Sequence, residues 1–277
     1  MRTPAENAQL ALLLEVAGTP KPGNVDRRRD LPDLRFEHFL AGSVGAGPGL
    51  RAASDGRPVG DAFETAVVGM ADQSGGNTQF GALLLLVPLV ATATEGKLMG
   101  DAVRSVVEDT TVEDAADFYR AFDHVAVTVD DPPADTDVPD VRRGSDAVAD
   151  VETAGLTLQD VMAAAADRDD VAREWIEGFE RSFAAADRIA ARAGPVPDRV
   201  AETFLWLLSR RPDTHVATTH GERVARRVMV RAQSARDRGH VEEFADALVE
   251  EGINPGTTAD VAAAGCFVAL ERDGIEI

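Results

Sequence analysis

Apolar residues recur along this chain at three- and four-residue spacing almost throughout, the period of a helix face rather than a strand. Thr3-Pro4-Ala5-Glu6 has capping-box spacing with proline at the first helical position, which predicts a helix to Ala17 closed by Gly18-Thr19-Pro20. The same reading predicts helices over 58–72, 78–94, 101–107, 112–122, 158–166 and 170–193. Four more follow, over 198–209, 222–238, 241–250 and 258–270. Only 124–129, with its alternating valines, reads as a strand. It leads into Asp130-Asp131-Pro132-Pro133-Ala134-Asp135, a solvated surface loop by composition. With no internal repeat and no flexible linker, the expectation is one all-α, multi-helix globular domain spanning 1–277. Its site is expected where helix N-termini and loops converge.

Charge narrows the range of partners. Asp and Glu total 48 against 28 Lys and Arg, a formal net charge of −20, and such a surface repels nucleic acid and anionic lipid. Lys21 and Lys97 are the only lysines, and alanine, valine and aspartate abound. This composition suits a salt-rich cytoplasm, where carboxylates hold water and salt screens their repulsion, and it points to a halophilic source. A lone cysteine, Cys266, excludes an intramolecular disulfide or a multi-cysteine metal site. The start of the chain lacks a signal-peptide pattern, and the longest apolar run, 82–93, is short and interrupted by Pro88. A soluble cytoplasmic protein without a membrane partner is expected.

Three polar junctions could carry chemistry. In Thr19-Pro20-Lys21-Pro22-Gly23-Asn24-Val25-Asp26-Arg27 the prolines stiffen the backbone around a lysine, so little entropy is lost in ordering a binding loop. Lys21 could meet phosphate as a point charge, with Asn24 and Asp26 as ligands for a sugar or metal; a rigid turn with solvated charges explains the same residues. In Gly75-Gly76-Asn77-Thr78-Gln79-Phe80-Gly81, glycines allow close backbone approach and a polar pair opens an apolar helix whose N-terminus favours an anion. Simple capping by Asn77 or Thr78 is the alternative. The third junction, Gly252-Ile253-Asn254-Pro255-Gly256-Thr257-Thr258-Ala259-Asp260, again opens an apolar helix, and Thr257 and Asp260 have capping-box spacing. Here Asn254, Thr257 and Thr258 are candidate phosphate or sugar contacts and Asp260 a candidate metal ligand. Three such junctions in one helical chain suggest helix ends converging on one anion.

Other features are set aside. Gly42-Ser43-Val44-Gly45-Ala46-Gly47 has the look of a dinucleotide fingerprint but follows no strand, and Pro48-Gly49 stands where a helix should run, so a loop is expected. Neither a P-loop nor a Gly-x-Ser-x-Gly elbow is present. His38, His124, His215, His220 and His240 lack helical ligand spacing.

The junctions also carry a resemblance. Glu15-Val16, Pro20-Lys21-Pro22-Gly23-Asn24-Val25-Asp26-Arg27, Gly76-Asn77-Thr78, Gly81 and Asn254-Pro255-Gly256-Thr257-Thr258-Ala259-Asp260 resemble, in order, the triphosphoribosyl-dephospho-CoA synthases. A weaker match is Arg211-Pro212-Asp213-Thr214. The resemblance implies an all-α transferase that uses ATP: the ribose 2′-hydroxyl of dephospho-CoA attacks C1 of the ATP ribose, adenine leaves and the triphosphate stays on the transferred sugar. It further implies magnesium on the triphosphate. Lys21 and Arg27 would take the triphosphate, Asp26 and Asp260 would be magnesium ligands or general base, and Asn24, Gly76, Asn77, Thr78, Asn254, Gly256, Thr257 and Thr258 would line the nucleotide. Bacterial members carry Gly-Ala-His after Val-Asp-Arg, and His-Lys after Asn-Thr; this chain has Arg28-Arg29-Asp30 and Gln79-Phe80. Those departures resemble a divergent branch found among archaea. They leave open the same donor chemistry on another acceptor, for instance in pterin-type cofactor biosynthesis, or a nucleotide-binding protein without turnover.

Overall fold

The structure is a computed structural model that describes residues 2–94, 96, 98–132, 136–272 and 274–277. It is all-α, as the periodicity predicts. The elements are α1 (Pro4–Ala17), α2 (Phe36–Gly45), α3 (Gly47–Ser54), α4 (Val59–Ala71), α5 (Phe80–Thr94), α6 (Gly100–Glu108) and α7 (Val112–Ala121). A 3₁₀ segment (Val141–Ala147) leads to α8 (Val148–Ala154), α9 (Leu158–Ala165), α10 (Asp170–Glu177) and α11 (Glu180–Ala190). The chain finishes with α12 (Val196–Leu208), α13 (Thr214–His220), α14 (Glu222–Arg238), α15 (Val241–Glu250) and α16 (Gly256–Glu271). The Thr3–Glu6 capping box forms as expected, with Thr3 N–H donating to Glu6 Oε2 and Glu6 N–H to Thr3 Oγ1.

Two helices with no polar face form the centre. In α16, Val261–Leu270 are all buried, and in α5 nearly every residue from Ala82 to Val90 is. A helix apolar all round has to be enclosed on every side, and α16 packs against α1, α5, α11 and α12. Pro88 lies inside α5, where its missing N–H strands the carbonyl of Leu84 one turn earlier. The buried Trp175 indole fills the vacancy, its Nε1–H donating to Leu84 O at 3.2 Å. No helix among the described residues is long and apolar enough to cross a membrane.

Four expectations are corrected. The helix predicted over 170–193 is broken at Gly178 and Phe179, both at positive φ, 70° and 62°. The break lets the buried Glu174 carboxylate accept from Arg181 N, Ser182 N and Ser182 Oγ, so it caps α11. The glycine-rich stretch 42–47 is not a loop but the junction of α2 and α3. Its glycines serve close packing: a β-carbon on Gly45 would overlap the Gly69 carbonyl of α4, and one on Gly69 would overlap that of Gly45. Residues 124–129 pair with no strand; the segment starts in a turn and then lines the wall of a cavity through 126–129, Val127 and Val129 among them. Thr257 is not an N-cap, because α16 starts one residue earlier, at Gly256. Of the acidic loop, Pro133, Ala134 and Asp135 lie outside the described residues.

Candidate functional site

The three junctions are far apart in sequence but packed onto one another. Asn24 Nδ2 donates to Asn254 Oδ1 at 2.9 Å, joining the first junction to the third. Gly23, at φ +74°, lies so close to Ile253 that any side chain would overlap the Ile253 carbonyl. The second junction meets the third in the same manner, since a β-carbon on Gly81 would overlap Asp260 Oδ2. Together they border a cavity of about 430 Å³.

Helix N-termini converge on that cavity. Those of α5, α10, α13 and α16 all supply lining residues: Gly81, Asp169, Thr214 and Gly256. Three of these ends are tied together by side chains. Asp170 N–H donates to Thr214 Oγ1 (3.2 Å), Thr214 Oγ1 bonds Thr257 Oγ1 (3.1 Å), and His215 N–H donates to Thr257 Oγ1 (3.2 Å). The buried Asp213 carboxylate accepts from Val216 N–H, from Thr258 N–H and from Thr258 Oγ1, at 3.0, 2.7 and 2.6 Å. The remaining backbone donors and the positive dipole ends favour negative charge in the cavity.

Carboxylates sit among these donors. Glu15, Asp169 and Asp260 line the cavity. Burial holds the Asp260 carboxyl well above the usual carboxylate range. Glu15, Asp213 and Asp169 add repulsion, and the Ala82 N–H opposes it. Burial also raises Asp169, against the Val171 and Ala172 N–H groups, and Asp213, against the Thr258 bonds. Burial raises Glu15, whereas the Lys21 ammonium on its Oε1 pulls the other way. Burial pushes the cavity-lining His215 imidazole down, while Asp213 pulls it the other way. Arg168 is the guanidinium on the lining.

Of the residues singled out from sequence, Asn24, Asn77, Thr78, Asn254, Gly256, Thr257 and Asp260 line this cavity. Asn77 also caps α5, its Oδ1 accepting from Phe80 N–H at 3.1 Å. The others do not reach it, and each has a physical reason. Lys21 is fully buried against Glu15 and Asn24 Oδ1 (3.1 Å), so its charge is neutralised inside the fold. Asp26 organises its own loop, accepting from Thr19 Oγ1, Lys21 N–H and Arg28 N–H and pairing with Arg29 at 3.3 Å, which saturates it as a ligand. Arg27 donates to Ala17 O and pairs with Asp198. Gly76 is exposed at φ +71° and serves the turn. Thr258 is held by Asp213, behind the cavity wall.

Sequence reasoning did not assign Glu15, Asp169, Thr214 or His215. Glu15 and Thr214 lay within the resembling motifs, and that was the available signal. Asp169 precedes a helix as an ordinary cap, its Oδ1 accepting from Val171 N–H at 2.7 Å. The departure at Gln79-Phe80 is also accounted for locally. Gln79 Nε2 donates to buried Ser43 Oγ at 2.9 Å, and Phe80 joins an aromatic cluster with Phe63, Phe118 and Phe122.

Residues 1–276 match the family CitG, ATP:dephospho-CoA triphosphoribosyl transferase. A crystal structure from Archaeoglobus fulgidus, a proposed triphosphoribosyl-dephospho-CoA synthase, is similar with a TM-score of 0.69 and 28% identity; the likeness covers 84% of this chain and 98% of that one. No curated protein matches the chain at a significant level.

Proposed function

Because the chain belongs to the ATP:dephospho-CoA triphosphoribosyl transferase family, we propose that it moves a triphosphoribosyl group from ATP to the ribose 2′-hydroxyl of dephospho-CoA and releases adenine. The observation that carries this reading is the convergence of four helix N-termini on one cavity bordered by Glu15, Asp169 and Asp260.

The reaction forms a bond from the acceptor oxygen to C1 of the donor ribose and breaks the bond from that carbon to the purine. One proton leaves the hydroxyl and one reaches the departing base. Glu15 is placed to take the first: it faces the cavity, and the buried ammonium of Lys21 favours its ionised form. The N-termini of α5, α10, α13 and α16 hold the triphosphate, and the Asn24–Asn254 pair and Thr257 fix the sugar.

Magnesium fits the residues present. Asp260 and Asp169 share the cavity, and a divalent cation there would offset the repulsion between their buried carboxylates. Among the described residues no three ligands are already gathered, which suits an ion held by one or two carboxylates plus substrate phosphates. When bound, it neutralises triphosphate charge. Asp26, saturated and outside the cavity, has no part in holding it.

The test is chromatography of adenine released from ATP with magnesium in molar KCl. Release that requires dephospho-CoA and is lost in Glu15→Gln and Asp260→Ala is the expected result. Release with a different acceptor only would overturn the choice of dephospho-CoA, and ATP binding without any release would overturn the transferase reading.

A further inference from the structure

The cavity lining is chemically mixed. Besides the helix N-termini and carboxylates it includes three aromatic rings, Phe80, Phe118 and Phe122, with Met162, Val127 and Val138 among its other apolar residues. Phe118 and Phe122 are one turn apart and so share a face of the chain at the end of α7. Phe80 opens α5 and is followed by Gly81, which lies against Asp260. Ring centroids of Phe122 lie 5.0 Å from Phe80 and 5.3 Å from Phe118, crossed at 65° and 82°. Phe63, fully buried behind them at 5.0 Å from Phe80, fixes the cluster from the core side. Phe80 and Phe118 are almost wholly buried, whereas Phe122 is half-buried with its open surface on the cavity.

We propose that this aromatic compartment is a purine-base site, and that it receives the base of the donor nucleotide. The assignment rests on the reading of ATP as donor. In a nucleoside triphosphate the phosphate chain and the base are carried on different carbons, C5 and C1, flanking the ring oxygen of the ribose. With the triphosphate at the helix N-termini and the ribose beside Glu15 and Asp260, the base is left to meet the phenyl rings of the same cavity. A planar heteroaromatic ring stacks on aromatic and thioether walls whatever its hydrogen-bonding edge. A phosphate or carboxylate in the same compartment would lose its water to apolar walls without gaining a partner. The acceptor also contains adenine, so the two sources share this chemistry; the connectivity favours the donor because its base must lie beside the reacting carbon.

Equilibrium dialysis with adenine alone tests the compartment independently of turnover. Adenine should bind, and Phe122→Ala should weaken it at least ~10-fold, about 1.4 kcal/mol, while inorganic triphosphate binds as in the wild type. Phe122→Tyr, which keeps the ring, should bind adenine close to normally and controls for folding. Absence of adenine binding, or equal binding by Phe122→Ala, would overturn the compartment. Steady-state kinetics of Phe122→Ala separates the sources: a raised KM for ATP supports the donor assignment, and a raised KM for dephospho-CoA alone overturns it. Ring-dependent adenine binding without any transfer would support the compartment and count against the transferase reading instead.

Discussion

Gly81, at the start of α5, lies directly against the carboxylate of Asp260 on α16, so closely that a β-carbon would overlap Oδ2. The two N-termini are therefore in register only while position 81 has no side chain. Gly81→Ala should push Asp260 out of place and lower adenine release by about 100-fold, the scale of a 1 Å misplacement at a reacting centre. Gly76→Ala is the control. It meets nothing within 4 Å and is strained only by its φ of +71°, so it should lose about 1–2 kcal/mol of stability with activity retained. Turnover and thermal melts on the two variants check this.

Asn24 and Asn254 should behave as a unit. Removing either leaves the other amide without the 2.9 Å partner that joins the first and third junctions. A double-mutant cycle with Asn24→Ala and Asn254→Ala, read by denaturant unfolding, should show a coupling of about 0.5–3 kcal/mol. Additive losses would mean that the junctions are held together by other contacts.

Lys21 separates a structural from a substrate-binding role. It is fully buried on Glu15, so Lys21→Met should cost about 3–5 kcal/mol by leaving a buried carboxylate uncompensated. Lys21→Met combined with Glu15→Leu should recover most of that stability while remaining inactive. A Lys21→Met protein of normal stability whose KM for ATP is raised would instead place the ammonium on the triphosphate.

The carboxyl cluster predicts an inverted pH dependence. Glu15, Asp169, Asp213 and Asp260 all have folded pKa values raised by burial. Their contribution to stability is complete below the ordinary carboxylate range and is lost as pH rises through the folded values. Asp260→Asn removes one such charge and should raise the melting temperature by about 2–4 °C, on the order of 1 kcal/mol for a chain of this size, at pH 8 but not at pH 4. Calorimetry of both proteins at fixed KCl measures the difference. Magnesium with ATP should narrow it.

Trp175 stabilises a helix it does not belong to. Trp175→Phe leaves Leu84 O buried beside Pro88 with no donor, a loss of about 1–3 kcal/mol. Pro88→Ala in that background restores a backbone N–H within α5 and should recover most of the loss, as chemical denaturation of the two variants would show.

Much of this protein was determined by sequence alone. Helical class follows from short-range physics: the apolar period, the Thr3–Glu6 box and the prolines act within a few residues of one another. The three junctions stand out for the same reason, since each is a polar, glycine-bearing interruption beside a helix. What the polar residues do there was decided by tertiary structure, because a partner 230 residues away is not visible in a local pattern. Asn24 and Asn254 meet, whereas Lys21, three residues before Asn24, is drawn into an ion pair with Glu15. Asp26 and Asp260 looked equivalent as acidic residues in polar loops. One is saturated by its own loop; the other is buried on the cavity lining beside further carboxylates. The physical reason is that a carboxylate's chemistry depends on burial and on the donors around it, and both are properties of packing.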